Sequence, residues 1–319
     1  MAGYIMDFER PVVELEKKLR ELKGLQGAQE SDVAAEISYL EKQLQKLKGL
    51  IYSDLTPWQR VQVARHPLRP RTLDYLNYMF NDFIELHGDR LYSDDASIVG
   101  GLAHLDKYSL VVVGHQKGKN AKTNIHRNFG MPHPEGYRKA LRFFRLAEKF
   151  NLPVISFIDT PGAYPGIEAE KRGQALAIAK NIQVLTCLGV PVIAVNIGEG
   201  GSGGALALSI GDALIMLENS YYSVASPEAC ASILWHDDSK APQAADALKL
   251  TSEDLMQLKI ADEVLAEPLG GAHRDPDAIF YNLRNMIKKH LDKLTRIEAN
   301  KLRIKRQKRI RGFGQFNEN

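Results

Sequence analysis

The first fifty residues carry apolar positions at helical spacing. Val12, Leu15, Leu19 and Leu22 recur every three or four positions, Gly24 and Gly27 interrupt them, and Val33, Ile37, Leu40, Leu44, Leu47 and Ile51 resume in steps of four and three. This is a heptad seam, and it predicts a helical hairpin. The positions between are crowded with Glu, Lys and Gln, so the stripe must pack on its partner helix, on the main body or on another chain. Thr56-Pro57 offers a hydroxyl N-cap and a proline at the first helical position, and His66-Pro-Leu-Arg-Pro70 forces extended backbone before a second helix start at Thr72. Residues 52–72 read as a linker into the main domain.

From Ile98 onward the period changes. Apolar runs over 98–105 and 110–116 have strand length and are joined by a turn at Asp106-Lys107. A helix is predicted over 134–150, a strand over 152–158, a helix over 169–188, a strand over 190–197, a short helix from Gly204 and a strand over 213–217. Strands alternating with helices of this length imply a layered α/β domain with largely parallel pairing. Further helices are predicted over 241–248, 252–258 and 275–301. Three regions follow: a helical hairpin over 1–55, the α/β domain over 56–275, and a C-terminal helix with a basic tail over 276–319.

Composition bounds the function. The 319 residues are 44% hydrophobic and 25% charged, enough for a substantial core, and no apolar run approaches the ~20 residues of a membrane-spanning helix. The first residues lack a basic and then apolar leader, so a cytoplasmic protein is expected. Cys187 and Cys230 show no metal-ligand or disulfide spacing and read as small buried apolar residues. The formal charge of +3 is unevenly spread: residues 301–311 hold seven Lys or Arg and no acid, and removing those seven cations leaves −4 on the rest. Such a tail suits nucleic acid or an acidic surface, or is simply a solvated, frayed helix end.

The chemistry concentrates in Gly198-Glu199-Gly200-Gly201-Ser202-Gly203-Gly204, five glycines in seven positions between a buried strand and a helix. Free N–H groups at a helix start, approached closely by glycine backbone, favour an anion or a developing oxyanion. Two templates share these letters and a third fits the turn at 159–162. Gly198, Gly200 and Gly203 have the spacing of a dinucleotide fingerprint, with Glu218 about twenty residues on, but the unit lies mid-chain. Gly200-x-Ser202-x-Gly204 matches a hydrolase nucleophile elbow, which would make Ser202 a nucleophile rather than a turn residue. Asp159-Thr-Pro-Gly162 resembles a GTPase turn, yet no phosphate-binding loop precedes it. The remaining reading is a site of two backbone turns, 159–166 and 198–204, at the carboxyl ends of neighbouring strands, built to stabilise a carbonyl-derived oxyanion or enolate.

Longer motifs narrow the choice. Val63-Ala-Arg-His-Pro-Leu-Arg-Pro-Arg-Thr-Leu-Asp-Tyr75, Gly114-His-Gln-Lys-Gly118, Arg127-Asn-Phe-Gly-Met-Pro132, Pro134-Glu-Gly-Tyr-Arg-Lys-Ala140, Asp159-Thr-Pro-Gly-Ala-Tyr-Pro-Gly166, the glycine-rich segment, and Glu267-Pro-Leu-Gly-Gly-Ala-His-Arg274 resemble, in order, the α-subunit family of bacterial acetyl-coenzyme A carboxylase carboxyltransferases. The resemblance covers about residues 56–275, and the hairpin is similar in kind.

That resemblance implies a crotonase-type (ClpP/crotonase-like) α/β spiral of ββα units. It implies transfer of a carboxyl group from carboxybiotin on a biotin carboxyl carrier protein to acetyl-coenzyme A, giving malonyl-coenzyme A for fatty acid synthesis. It also implies a partner: a β subunit of related fold bearing a zinc ribbon and most coenzyme A contacts, in an α2β2 heterotetramer served by a biotin carboxylase, with no metal in this chain. By resemblance, the N–H groups of Gly203 and Gly204 form the oxyanion hole for the biotin carbonyl oxygen. Gly200, Gly201, Ser202 and the wall of Gly162, Ala163, Tyr164, Pro165 and Gly166 adjoin the substrate. Arg127, Arg138 and Lys139 read either as partners for coenzyme A phosphates or the biotin carboxylate, or as a solvated helix face.

Overall fold

The computed structural model describes residues 4–24 and 31–314. Helices α1 (Arg10–Gly24) and α2 (Ser31–Tyr52) form the hairpin. Val12, Leu19, Ile37 and Leu40 are buried along the seam, and the ion pairs Glu16–Lys48 and Lys23–Glu41 show the two helices running in opposite directions. The hairpin also rests on the body. Met6, Tyr52, Leu55 and Val63 share one apolar cluster, and the Arg274 guanidinium lies 3.6 Å from Glu9 and 3.5 Å from Glu16. Gly27 lies outside the described residues.

The body begins with α3 (Pro57–Ala64), whose capping box pairs Thr56 and Gln59 reciprocally, and α4 (Thr72–Met79). Then come β1 (Asn81–Glu85), β2 (Ile98–Leu105), β3 (Tyr108–His115), α5 (Ala121–His126), α6 (Pro134–Phe150), β4 (Val154–Thr160), α7 (Ile167–Lys171) and α8 (Gln174–Cys187). They are followed by β5 (Val192–Gly201), α9 (Ser202–Ser209), β6 (Ala213–Leu217), β7 (Tyr221–Ser223), α10 (Pro227–Trp235), α11 (Ala241–Leu248), α12 (Ser252–Gln257), β8 (Glu263–Leu265), α13 (Pro276–Leu294) and α14 (Ala299–Arg311).

One sheet runs in the order β1-β2-β3-β4-β5-β6-β8, with β7 pairing the far end of β5. The β1–β2–β3 edge is antiparallel and every later pairing is parallel. Period-2 alternation sends Val112, Ile155, Phe157, Ile193 and Val195 to a core with Tyr75, Leu76, Ile279, Phe280 and Leu283, while Val111, Val113, Val154 and Ile158 face Tyr137, Phe143, Phe144 and Leu185. Both faces are covered, which is why β4 and β5 read as unbroken apolar runs.

Several expectations need correction. The short strands β1, β7 and β8 carry too few residues to show a period and were not foreseen. The predicted 169–188 helix is broken at Gly173, which takes φ +80°, and the C-terminal helix stops at Leu294 and restarts at Ala299. The cysteines are not core residues: Cys187 is exposed and Cys230 half-buried. Nor is the basic segment a solvated end. Arg306 is buried, its guanidinium donating to the Leu185, Leu188 and Val190 carbonyls at 2.7 Å each and pairing with Asp212 at 2.5 Å. Lys301, Lys305, Lys308 and Arg311 form the exposed face of the same helix. Among the described residues, no helix is long and apolar enough to cross a membrane.

Candidate active site

Strands β4 and β5 run in strict register from Val154–Val192 to Ile158–Asn196, and then Thr160 meets Gly200. One residue of β4, Asp159, therefore opposes three of β5, so β5 bulges across Ile197–Glu199. The glycine-rich segment is thus not all turn. It extends β5 through Gly201, and α9 starts at Ser202, whose φ of +54° makes the sharp strand-to-helix corner.

The neighbouring turn fits against that corner. Thr160 folds it, its hydroxyl accepting from the Gly162 N–H at 3.0 Å and donating to the Gly162 carbonyl at 2.8 Å. The backbones of the two turns touch at Gly201 and Gly204. A Cβ on Gly201 would stand 2.2 Å from the Pro161 oxygen, and one on Gly204 would stand 2.6 Å from the Ala163 nitrogen. Gly203 is open, its nearest neighbour being Ile178 at 3.7 Å. Ser202, Gly203 and Gly204 are the first three residues of α9, so their N–H groups have no intrahelical acceptor and lie at the positive end of the helix.

Below the corner lies a buried ionic cluster. Asp159 accepts from Lys117 Nζ at 2.6 Å, Arg71 at 3.0 Å and the Glu199 backbone N–H at 3.1 Å. Glu199, inside the bulge, accepts from the same Lys117 ammonium at 2.5 Å, from Arg65 at 2.7 Å and from the Tyr221 hydroxyl at 2.7 Å. Arg65 continues to Glu228. Burial alone would raise both carboxyls; Lys117 with Arg71 outweighs it at Asp159, and Lys117 with Arg65 pulls Glu199 down to about 2. Both are carboxylates at neutral pH.

The third wall is residues 127–132. Asn128, Phe129 and Gly130 take φ of 45°, 56° and 75°, a left-handed run that leaves Phe129 exposed and lays Gly130 over the Lys117 stem. The Pro132 carbonyl accepts from the Tyr164 N–H at 3.1 Å and from Gln174 at 2.8 Å, and the His133 and Tyr164 rings meet at 4.5 Å. Residues 162–166, 200–204 and 127–132 are therefore gathered at the carboxyl ends of β4 and β5. The predicted basic residues are tied to the protein. Arg127 donates to the Ala96 carbonyl at 2.6 Å, Arg138 to Asp89 at 2.7 Å and the Arg172 carbonyl at 3.1 Å, and Lys139 to Asp94 at 2.5 Å and the Asp95 carbonyl at 2.7 Å.

Sequence reasoning missed Arg65, Arg71, Lys117 and the roles of Asp159 and Glu199. The available signal was an acid at the end of each of two buried strands, which demands a nearby cation. The cations came largely from the segment read as a linker: Arg60, Arg65, Arg69 and Arg71 all turn inward, Arg69 pairing with Glu267 at 2.5 Å with both side chains fully buried. The hydrolase template fails on geometry. Among the described residues no histidine bonds the Ser202 hydroxyl, and His115, buried beneath the corner, has both ring nitrogens without a hydrogen-bond partner. Among the described residues there is also no group of three or more side chains suited to hold a metal ion.

The acetyl co-enzyme A carboxylase carboxyltransferase-like family model matches residues 5–314. The chain is 53% identical to the acetyl-coenzyme A carboxylase carboxyl transferase subunit alpha of Thermus thermophilus, covering 98% of this chain and 99% of that protein. It is 54% identical to the corresponding subunit of Paraburkholderia phytofirmans, covering 100% and 98%. Among solved structures, transcarboxylase 12S with methylmalonyl-coenzyme A bound superposes with a TM-score of 0.56 at 19% identity, over 70% of this chain and 41% of that one. A Pseudomonas malonate decarboxylase hetero-tetramer in complex with coenzyme A gives 0.54 at 17%, over 63% and 81%. Those likenesses establish the crotonase-type carboxyltransferase fold, and the near-complete match at over half identity shows that the chain belongs to the family of acetyl-coenzyme A carboxylase carboxyltransferase α subunits.

Proposed function

We propose that this chain supplies one half of a biotin-dependent carboxyltransferase site, working in the cytoplasm with a zinc-ribbon β subunit in an α2β2 assembly, and taking its carboxyl group from carboxybiotin on a carrier protein recharged by a biotin carboxylase. The acceptor is acetyl-coenzyme A and the product malonyl-coenzyme A. The carboxyl group leaves the ureido nitrogen of the donor substrate, the acceptor methyl carbon gives up a proton and bonds to the carboxyl carbon, and that proton returns to the nitrogen.

The observation that carries this reading is the corner itself: the N–H groups of Gly203 and Gly204 lie at a helix start, where they have no intrahelical acceptor, and Gly204 is pressed against a second turn. In this arrangement they bind the ureido oxygen as it gains negative charge, and because they are held before the substrate arrives, no reorganisation is needed. Residues 162–166 with Gly200, Gly201 and Ser202 shape the pocket and exclude water. Arg127 and Arg138 act by holding the 127–132 wall and the α6 start in place, since their guanidinium groups are engaged with Ala96, Asp89 and Arg172. No side-chain base is needed, which accords with the neutral, inaccessible His115. The reaction is tested by assembling the chain with its β partner and measuring malonyl-coenzyme A decarboxylation in the presence of biotin. A correctly assembled pair without that activity overturns the proposal.

A further inference from the structure

The buried cluster below the corner has no direct access to a substrate, yet its contacts converge on one backbone segment. In a parallel ladder the extra residues of a bulge lose their partners, and the bulged strand changes direction. Here the lost partner of the Glu199 N–H is replaced by the Asp159 carboxylate, which crosses from β4. The Glu199 side chain turns back toward β4 and reaches the same Lys117 ammonium that holds Asp159. Asp159 thus ties the bulge backbone to β4, and the Lys117 ammonium links that carboxylate to the Glu199 side chain. The next residues along β5 are Gly200 and Gly201, and then the amide donors of α9.

Between Asn196 and Gly200 the bulge has no ladder partner on β4, and β7 supports β5 only from Glu199 to Gly201. Gly200, Gly201, Gly203 and Gly204 have no side chains with which to anchor the backbone, and glycine loses the most conformational freedom on ordering. Lys117 is itself fixed, its stem running beneath the left-handed Gly130 and its ammonium buried. We propose that Lys117, Asp159 and Glu199 act as an ionic clamp on the β5 bulge that aims the Gly203 and Gly204 amides, making them positioning residues for carboxyl transfer. The proposal rests on the carboxyltransferase reading of the site.

The clamp makes an ordered prediction about charge. Lys117→Met keeps the apolar stem but leaves two buried carboxylates within about 5 Å of each other, with Arg71 and Arg65 only on their outer sides. The bulge must open. Lys117→Met/Glu199→Gln removes one anion as well, while the side-chain oxygen at 199 still accepts from Arg65 and Tyr221. The double variant therefore relieves the repulsion that opens the bulge in the single variant.

The experiment compares wild type, Lys117→Met and the double variant, each assembled with the β partner. Readouts are kcat and KM for malonyl-coenzyme A decarboxylation, thermal midpoint, and hydrogen–deuterium exchange of the 198–204 amides. Lys117→Met lowers kcat by ~10²-fold, the effect of roughly 1 Å of misplacement, leaves KM little changed and speeds exchange across 198–204. The double variant recovers at least about tenfold of the lost kcat, a rescue expected only of coupled neighbours. Folded, assembled Lys117→Met with wild-type kcat and wild-type exchange overturns the clamp, as does a double variant as slow as the single. Should Lys117→Met fail to assemble, Glu199→Asp keeps the charge and withdraws it by one methylene. It must show the same fall in kcat at constant KM with faster exchange, and wild-type behaviour of that variant equally overturns the clamp. Exchange does not depend on the reaction assigned, so an inactive wild-type complex with an exchange-protected bulge refutes the carboxyltransferase reading while leaving the clamp standing.

Discussion

Replacing Gly204 with alanine would place a methyl carbon 2.6 Å from the Ala163 nitrogen, 2.7 Å from the Gly162 carbonyl carbon and 2.9 Å from the Tyr137 hydroxyl. Two of these neighbours are backbone and cannot rotate away. Restoring an ordinary contact of about 3.4 Å requires the two turns to separate by about 0.8 Å, a displacement of the size that costs ~10²-fold in a positioned reaction. The loss corresponds to about 3 kcal/mol of transition-state stabilisation, and overpacking of a tight interior costs a further ~1–3 kcal/mol of stability. Gly203→Ala is the control, because its Cβ would meet Ile178 only at 3.7 Å and its N–H is retained.

Steady-state malonyl-coenzyme A decarboxylation by the assembled α and β chains separates the two. Gly204→Ala is expected to lose kcat by ~10²–10³-fold with KM little altered, because an oxyanion donor acts in the transition state rather than in substrate binding. Gly203→Ala is expected to stay near wild type. Equal losses in the two variants would refute the argument from turn-to-turn contact, and full turnover by Gly204→Ala would remove that residue from the site.

Acid should destabilise the protein in two stages. Burial, with nearby Arg274 and Arg69, holds His66 at about 4 and His273 at about 3, and burial holds His115 at about 4. The folded chain stays neutral there while the unfolded chain binds protons below about pH 6.5, so stability falls from that pH toward 4. Thermal midpoints should decline over this window and decline less in His273→Phe, which keeps the stack on His66; an unchanged slope would contradict the assignment. Below pH 4.5 the Glu199 carboxylate, held at about 2, adds a further loss on the order of 3 kcal/mol as pH approaches 2. Arg306→Met leaves Asp212 and three carbonyls without their donor and should cost ~3–5 kcal/mol in urea unfolding, a loss below 1 kcal/mol arguing that α14 is only loosely seated. Tyr137→Phe removes a buried hydroxyl that has no hydrogen-bond partner among the described residues and should stabilise by about 1 kcal/mol; marked destabilisation would show that the hydroxyl is bonded after all.

Much of the architecture was legible because its periods are long. The seam from Val12 to Ile51, the hairpin turn at Asp106 and the helix from Pro134 each repeat a pattern often enough to identify the element. Strands of three residues offer no period, and Tyr221–Ser223 and Glu263–Leu265 take their conformation from the strands they join. The glycines were legible as a candidate site for the same local reason, since five in seven positions exceed what a helix or a plain strand needs. The bulge that aims them was not, because it depends on which residue of β4 stands opposite Ile197–Glu199.

The arginine segment shows how the local reading failed. Residues 56–72 carry prolines, turn residues and four arginines, and that composition ordinarily marks a solvated connection. Each guanidinium instead meets a carboxylate more than eighty positions away: Arg60 meets Glu253, Arg65 meets Glu199 and Glu228, Arg69 meets Glu267, and Arg71 meets Asp159. None of those acids neutralises itself locally, and three of them, Asp159, Glu199 and Glu267, are fully buried at or beside strand ends. Taking an unpaired carboxylate out of water costs several kcal/mol, so three buried strand-end acids require an equal supply of cations from elsewhere. A basic stretch with no acids of its own is where to look for them, and here α3 and the turn at His66–Arg69 carry the arginines to those acids. The segment that looked like a linker therefore supplies counter-charge to the floor of the candidate site.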